Sequence, residues 1–179
     1  MTPPRGRRRR QARRQGAQSG AGSPTRYKMR EKLLTIGDDF VIETGAGAPA
    51  FRVDGKALRV RDTIQLRDAQ GRPQYRVQER KFRLKNTMVI EQQGRRVATI
   101  QKRLVNPLRD RFQVPVVGGQ PLTVQGNILE HEYNIKRAGR PVANVSKRWF
   151  RVRDTYGVEV MPGEDDAFVL AVVAAIDTM

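Results

Sequence analysis

Glu164-Asp165-Asp166-Ala167-Phe168-Val169-Leu170-Ala171-Val172-Val173-Ala174-Ala175-Ile176 is the stretch whose reading decides the fold. The acids supply an N-cap and a first turn matched to the helix dipole, and an uninterrupted apolar run follows from Ala167 to Ile176. A helix that is apolar all round must be buried on every side or lie in lipid. Ten residues rise only about 15 Å, whereas a bilayer takes about 20 residues to cross. The segment is therefore expected to plug the interior of a protein, and Ala167, Ala171, Ala174 and Ala175 keep it thin enough to thread a ring of strands. A strand followed by a short helix packed on one face is the competing reading.

Upstream of the Met161-Pro162-Gly163 break, a turn unit recurs: Gly47-Ala48-Pro49, Gly71-Arg72-Pro73, Gly94-Arg95-Arg96, Gly119-Gln120-Pro121 and Gly139-Arg140-Pro141. The glycines are 24, 23, 25 and 20 residues apart. Glycine permits the positive φ of a tight turn, proline suits a strand start that needs no ladder donor, and apolar or β-branched residues follow. Each unit reads as one hairpin. With strands at either end (Met29 to Leu34, Thr155 to Val160), the spacing predicts about twelve antiparallel strands from residue 27 onward. So many hairpins close into a barrel or stack as a sandwich, and closure removes vulnerable edges. The expected architecture is mainly β: a closed barrel over 27–179 around the buried C-terminal helix.

Residues 1–26 hold eight arginines and no acid, with no large apolar residue between Met1 and Tyr27. Such a segment cannot offset its ordering entropy, so a disordered arginine-rich tail is expected, acting as a tether for nucleic acid or membrane. The alternatives are an inert extension, or Met29 as the true start. Of the net +17, the remaining 27 basic and 18 acidic residues still leave +9, a surplus that favours polyanions. With no cysteine, disulfides and thiolate metal sites are excluded. No apolar run follows the charged N-terminus as in a secretory signal, and a cytoplasmic protein, at most peripheral at a membrane, is expected.

Tyr27-Lys28-Met29-Arg30-Glu31-Lys32-Leu33-Leu34, Phe51-Arg52-Val53-Asp54-Gly55-Lys56-Ala57-Leu58, the hairpin units and the apolar helix together resemble the LURP-one-related family. That fold is similar to the tubby C-terminal domain and the phospholipid scramblases. The resemblance covers residues 27–179 and implies a roughly twelve-stranded barrel around a hydrophobic helix. Among such relatives tubby domains bind phosphoinositides and scramblases move phospholipids with calcium. No lipid-site or calcium motif of theirs matches this chain residue by residue.

Chemistry is sparse. One histidine, His131, cannot build a zinc site or a catalytic relay, and on a strand its neighbours Glu130 and Glu132 would face away from it, so a structural or surface role is expected. Asp38, Asp39, Asp54 and the acids 164–166 suit turns and caps. No nucleotide, hydrolase, zincin or calcium-loop motif is present, so neither an enzyme nor a cofactor or metal is expected.

Basic runs at equivalent places after the turn glycines form the candidate site: Lys81, Arg83 and Lys85; Lys102 and Arg103; Lys147, Trp149, Arg151 and Arg153. Period-two reading sets Lys81, Arg83 and Lys85 opposite Phe82 and Leu84. It sets Lys147, Trp149, Arg151 and Arg153 on an outer face opposite Phe150 and Val152. Antiparallel hairpins would gather these charges at one end, with the only tryptophan among cations, as an anionic membrane surface favours. Charged outer faces that keep a β protein soluble, with Trp149 covering a neighbouring strand, are the plainer account. The leading expectation is a non-catalytic module holding anionic phospholipid or phosphoinositide headgroups. Sequence-independent nucleic-acid binding through the tail is the alternative, and scramblase-like translocation ranks below both.

Overall fold

The computed structural model describes residues 22–30, 40–54, 63–82, 85–103, 110–150 and 153–179. Twelve strands run in chain order: β1 (Thr25–Arg30), β2 (Phe40–Thr44), β3 (Pro49–Asp54), β4 (Thr63–Asp68), β5 (Pro73–Phe82) and β6 (Lys85–Gln92). Then follow β7 (Arg95–Arg103), β8 (Asp110–Val114), β9 (Leu122–Asn127), β10 (Glu132–Arg137), β11 (Arg140–Ser146) and β12 (Thr155–Val160), and last the helix α1 (Asp166–Asp177). Every strand pairs antiparallel with its sequence neighbour, and β1 pairs with β12, so the barrel is closed. The sandwich alternative is excluded.

The hairpin glycines are where the sequence places them. Gly47, Gly71, Gly94 and Gly139 all have positive φ, and in the fourth unit Gly118 takes that role instead of Gly119. Register shifts after Ile42, Leu66, Ile90 and Ile135 precede the tight turns, so that Pro49, Pro73 and Pro141 sit opposite Glu43, Arg67 and Lys136. The extra residue of a bulge sharpens twist, and a residue without an N–H belongs where the ladder is broken. The first strand, expected over Met29 to Leu34, begins already at Thr25 and is described as far as Arg30. Thr25 and Arg26, assigned above to the tail, are thus barrel residues, and a chain beginning at Met29 would lack most of β1. Of the rest of the expected tail, residues 22–24 are described and have no regular secondary structure, while residues 1–21 lie outside the described residues, as do residues 31–39.

Inward positions alternate along each strand, for example Tyr27 and Met29, Ile64 and Leu66, Phe112 and Val114, Tyr156 and Val158. They enclose α1, whose residues Ala167 to Ile176 are all buried, including Phe168, Leu170, Val172, Val173 and Ile176. The helix is the plug that its composition predicts. Asp165 caps it, accepting from Phe168 N at 2.9 Å. Three strands spaced round the ring hold its first turn: Tyr27 Oη donates to Asp166 at 2.5 Å, Tyr75 Oη to Asp165 at 2.7 Å, and Arg137 pairs with Glu164 at 2.6 Å.

Candidate functional site

The up-and-down topology gives the barrel two unlike ends. One carries the five glycine turns and the passage from β12 into α1, with Glu164, Asp165 and Asp166 at its centre. The other carries the β5–β6, β7–β8, β9–β10 and β11–β12 connections and receives the C-terminus of α1. Lys81 and Phe82 close β5 and Lys85 opens β6, while Lys102 and Arg103 close β7. Lys147 and Trp149 lie in a single 3-10 turn after β11, and Arg153 stands just before β12. The candidate residues that fall within the described set therefore gather at one end of the molecule, as the spacing predicts. Arg83 and Arg151 lie outside the described residues.

Two details of the strand reading do not hold. β5 ends at Phe82 and β6 begins at Lys85, paired with each other, so Lys81 and Lys85 belong to different strands and period two does not run from 81 to 85. Likewise Lys147–Trp149 is helical rather than extended, so the alternation imagined for 147–153 fails. Its cause is Ser146, which caps the turn by accepting from Arg148 N at 3.2 Å and donates through its hydroxyl to Glu132 Oε1 at 2.9 Å. Trp149 is half-buried against the wall: a Cβ built on Gly157 would stand 2.6 Å from Trp149 Cε3. The Arg26 guanidinium lies 5.2 Å from the Trp149 ring centroid and also binds Glu159. Covering a neighbouring strand is what this tryptophan does.

Round the ring the cations form two arcs, one on β5–β7 and one on β11, β12 and β1, separated on one side by β8, β9 and β10. The second arc includes Arg148, strongly exposed at 85%, and Arg30, opposite Thr155 in β12; neither is among the residues singled out from sequence. The register sets Arg103 of β7 opposite Arg111 of β8. Outward strand positions such as Arg52, Arg76 and Lys136 are exposed and charged, the inverse of a barrel that spans lipid with its strands. Among the described residues no helix is long and apolar enough to cross a membrane.

Inside this end lies a group that sequence reasoning missed. His131 is not on a strand; it occupies the β9–β10 turn with φ 49°. Its ring is buried, stacked on Tyr156 at 4.2 Å, and its Nε2 donates to Asp177 Oδ1 at 2.6 Å. The side chains of His131 and Asp177 are only 9% and 8% exposed. Tyr133 Oη is buried close by, and burial first, then the negative charge of Asp177, raise its pKa well above the ordinary phenol value. Burial also raises Tyr27 and Tyr75, aided by their bonds to Asp166 and Asp165. Nothing in the sequence near His131 marks Asp177 as its partner. The arrangement ties the last turn of α1 to the barrel wall, and the described residues contain no cluster of three or more metal-ligating side chains.

Comparison with known proteins matches the LURP-one-related family model to residues 25–177. An Arabidopsis thaliana protein of known X-ray structure is similar in fold, with 20% identity and a TM-score of 0.67 over 89% of this chain and 93% of that one. No curated protein matches.

Proposed function

We propose, for a chain that belongs to the LURP-one-related family, that it is a non-catalytic binding module whose cationic end holds anionic phospholipid headgroups peripherally. The observation that carries this reading is the gathering of Lys81, Lys85, Lys102, Arg103, Lys147 and Arg153 at one end of a closed barrel; the other end also has arginines, Arg72, Arg95, Arg96, Arg137 and Arg140, but carries Glu164, Asp165 and Asp166 at its centre. Each basic residue near an anionic surface contributes about 1 kcal/mol, so several acting together give reversible binding without any deep pocket. Trp149 supports this end by fixing the 3-10 turn against Gly157. The test is sedimentation with vesicles of phosphatidylcholine alone and of phosphatidylcholine with phosphatidylserine. Binding is expected only to the second, and Lys147→Glu with Arg153→Glu should weaken it about tenfold or more. A variant lacking residues 1–21 keeps all of β1 and should keep most of the binding. Loss of all binding with that segment, or equal binding to both vesicles, overturns the assignment to the barrel.

A further inference from the structure

The described residues leave three large apolar side chains exposed: Val41 at 38%, Val117 at 63% and Leu129 at 82%. A single exposed leucine is common on protein surfaces, so exposure alone decides nothing. Leu129, however, is held out by a rigid turn. Ile128 beside it packs on the core, Glu130 N donates to Asn127 Oδ1 at 3.1 Å, and His131 N donates to Ile128 O at 3.0 Å. His131 is anchored through its ring to Asp177 of α1. The backbone on both sides is fixed, and the leucine between projects into solvent. Its place on the ring matters as much: the β9–β10 turn falls between the β5–β7 arc of cations and the β11–β12 arc, at the same end of the barrel. Val117, in the β8–β9 connection, lies at the opposite end.

We propose that Leu129 is the apolar foot of the cationic end, entering the headgroup layer of an anionic membrane while the arcs on either side hold its phosphates. This rests on the lipid-binding reading and adds its point of penetration. A protein partner fits less well, because a stable interface needs roughly 800 Å² per side with an apolar centre, whereas one leucine set between two separate groups of cations matches the layered polarity of a lipid surface. Glu130 opposes the contact, so Glu130→Gln should tighten it.

The chain has no cysteine, so Leu129→Cys and Val117→Cys each supply one thiol for an environment-sensitive dye on the full-length protein. With phosphatidylserine-containing vesicles, emission at 129 should shift to the blue and at 117 should not. Leu129→Ala should weaken binding about tenfold, since the side chain loses apolar contact, while Val117→Ala stays within about twofold; unchanged thermal midpoints show that both remain folded. If the wild-type chain binds these vesicles but the dye at 129 stays in water and Leu129→Ala binds as well as wild type, the insertion proposal is wrong and the lipid reading stands. If the wild-type chain binds no phosphatidylserine vesicle, the lipid reading itself fails and takes this proposal with it.

Discussion

His131 illustrates what a residue can and cannot disclose. Its isolation in the sequence leaves a structural or surface role as the expectation, and the fold places it in the buried, structural one. Its partner, Asp177, is 46 residues away and is brought to it only by closure of the barrel around α1. Reading residues 130–132 as strand set Glu130 and Glu132 away from the histidine but offered it no partner, and it is a turn that places the ring. The left-handed backbone at His131 is what rotates its ring inward. Since Nε2 and Oδ1 are both buried, His131→Ala leaves the Asp177 carboxylate desolvated without its donor and should cost about 3 kcal/mol. Asp177→Asn keeps an acceptor oxygen and should cost about 1 kcal/mol. Urea unfolding at neutral pH measures both; a loss under about 0.5 kcal/mol for His131→Ala is what a surface residue gives, and would show that the buried pair contributes nothing.

Elements were legible where their chemistry is local. Turn glycines and the prolines after them punctuate the strands at Gly47, Gly71 and Gly139 because positive φ and a missing donor are properties of single residues. Legibility failed between Phe82 and Lys85, which pair with each other as the end of β5 and the start of β6, and at 147–149, where the Ser146 cap turns the chain although the alternation of basic and apolar residues continues. It failed as well for the first strand, whose start at Thr25 is fixed by pairing with β12 and not by composition. The helix termini follow the same division: the Asp165 cap is readable, but its hold on Tyr75, and that of Asp166 on Tyr27, is not. These bonds carry a pH signature. Both phenols have raised pKa values in the fold, so above the ordinary value of about 10 the unfolded chain releases protons that the native state retains. The unfolded state then binds fewer protons, and stability falls as pH rises, by up to about 1.4 kcal/mol per pH unit for each group. Tyr27→Phe and Tyr75→Phe should each cost about 1 kcal/mol at pH 7 and flatten the decline between pH 10 and pH 11. Unfolding midpoints of wild type and variants across that interval decide it; parallel curves would mean the phenols titrate as freely in the fold as outside it.

At the scale of the molecule, the count of hairpin-linked strands allows a barrel or a sandwich, and the pairing of β1 with β12 decides for the barrel, which hides both the all-apolar helix and the sheet edges. What the count leaves open is how the two depend on each other. Every strand pairs with its neighbours in sequence, yet the inward face of that ring has α1 as its filling, and the ring is completed by the first strand pairing with the last. Neither sheet nor helix has a core without the other, so they should unfold in one transition. Leu170 is fully buried at the middle of α1, while Trp149 lies outside on the wall against Gly157. Leu170→Ala removes about 3 to 5 kcal/mol by leaving a cavity in the plug. If plug and wall are one unit, the Trp149 fluorescence transition in urea should shift by the same amount as the far-ultraviolet circular dichroism transition, and the two should coincide in wild type and variant alike. A Trp149 transition that keeps its wild-type midpoint while the dichroism moves would mean that the ring of strands stands on its own and the helix merely lodges in it.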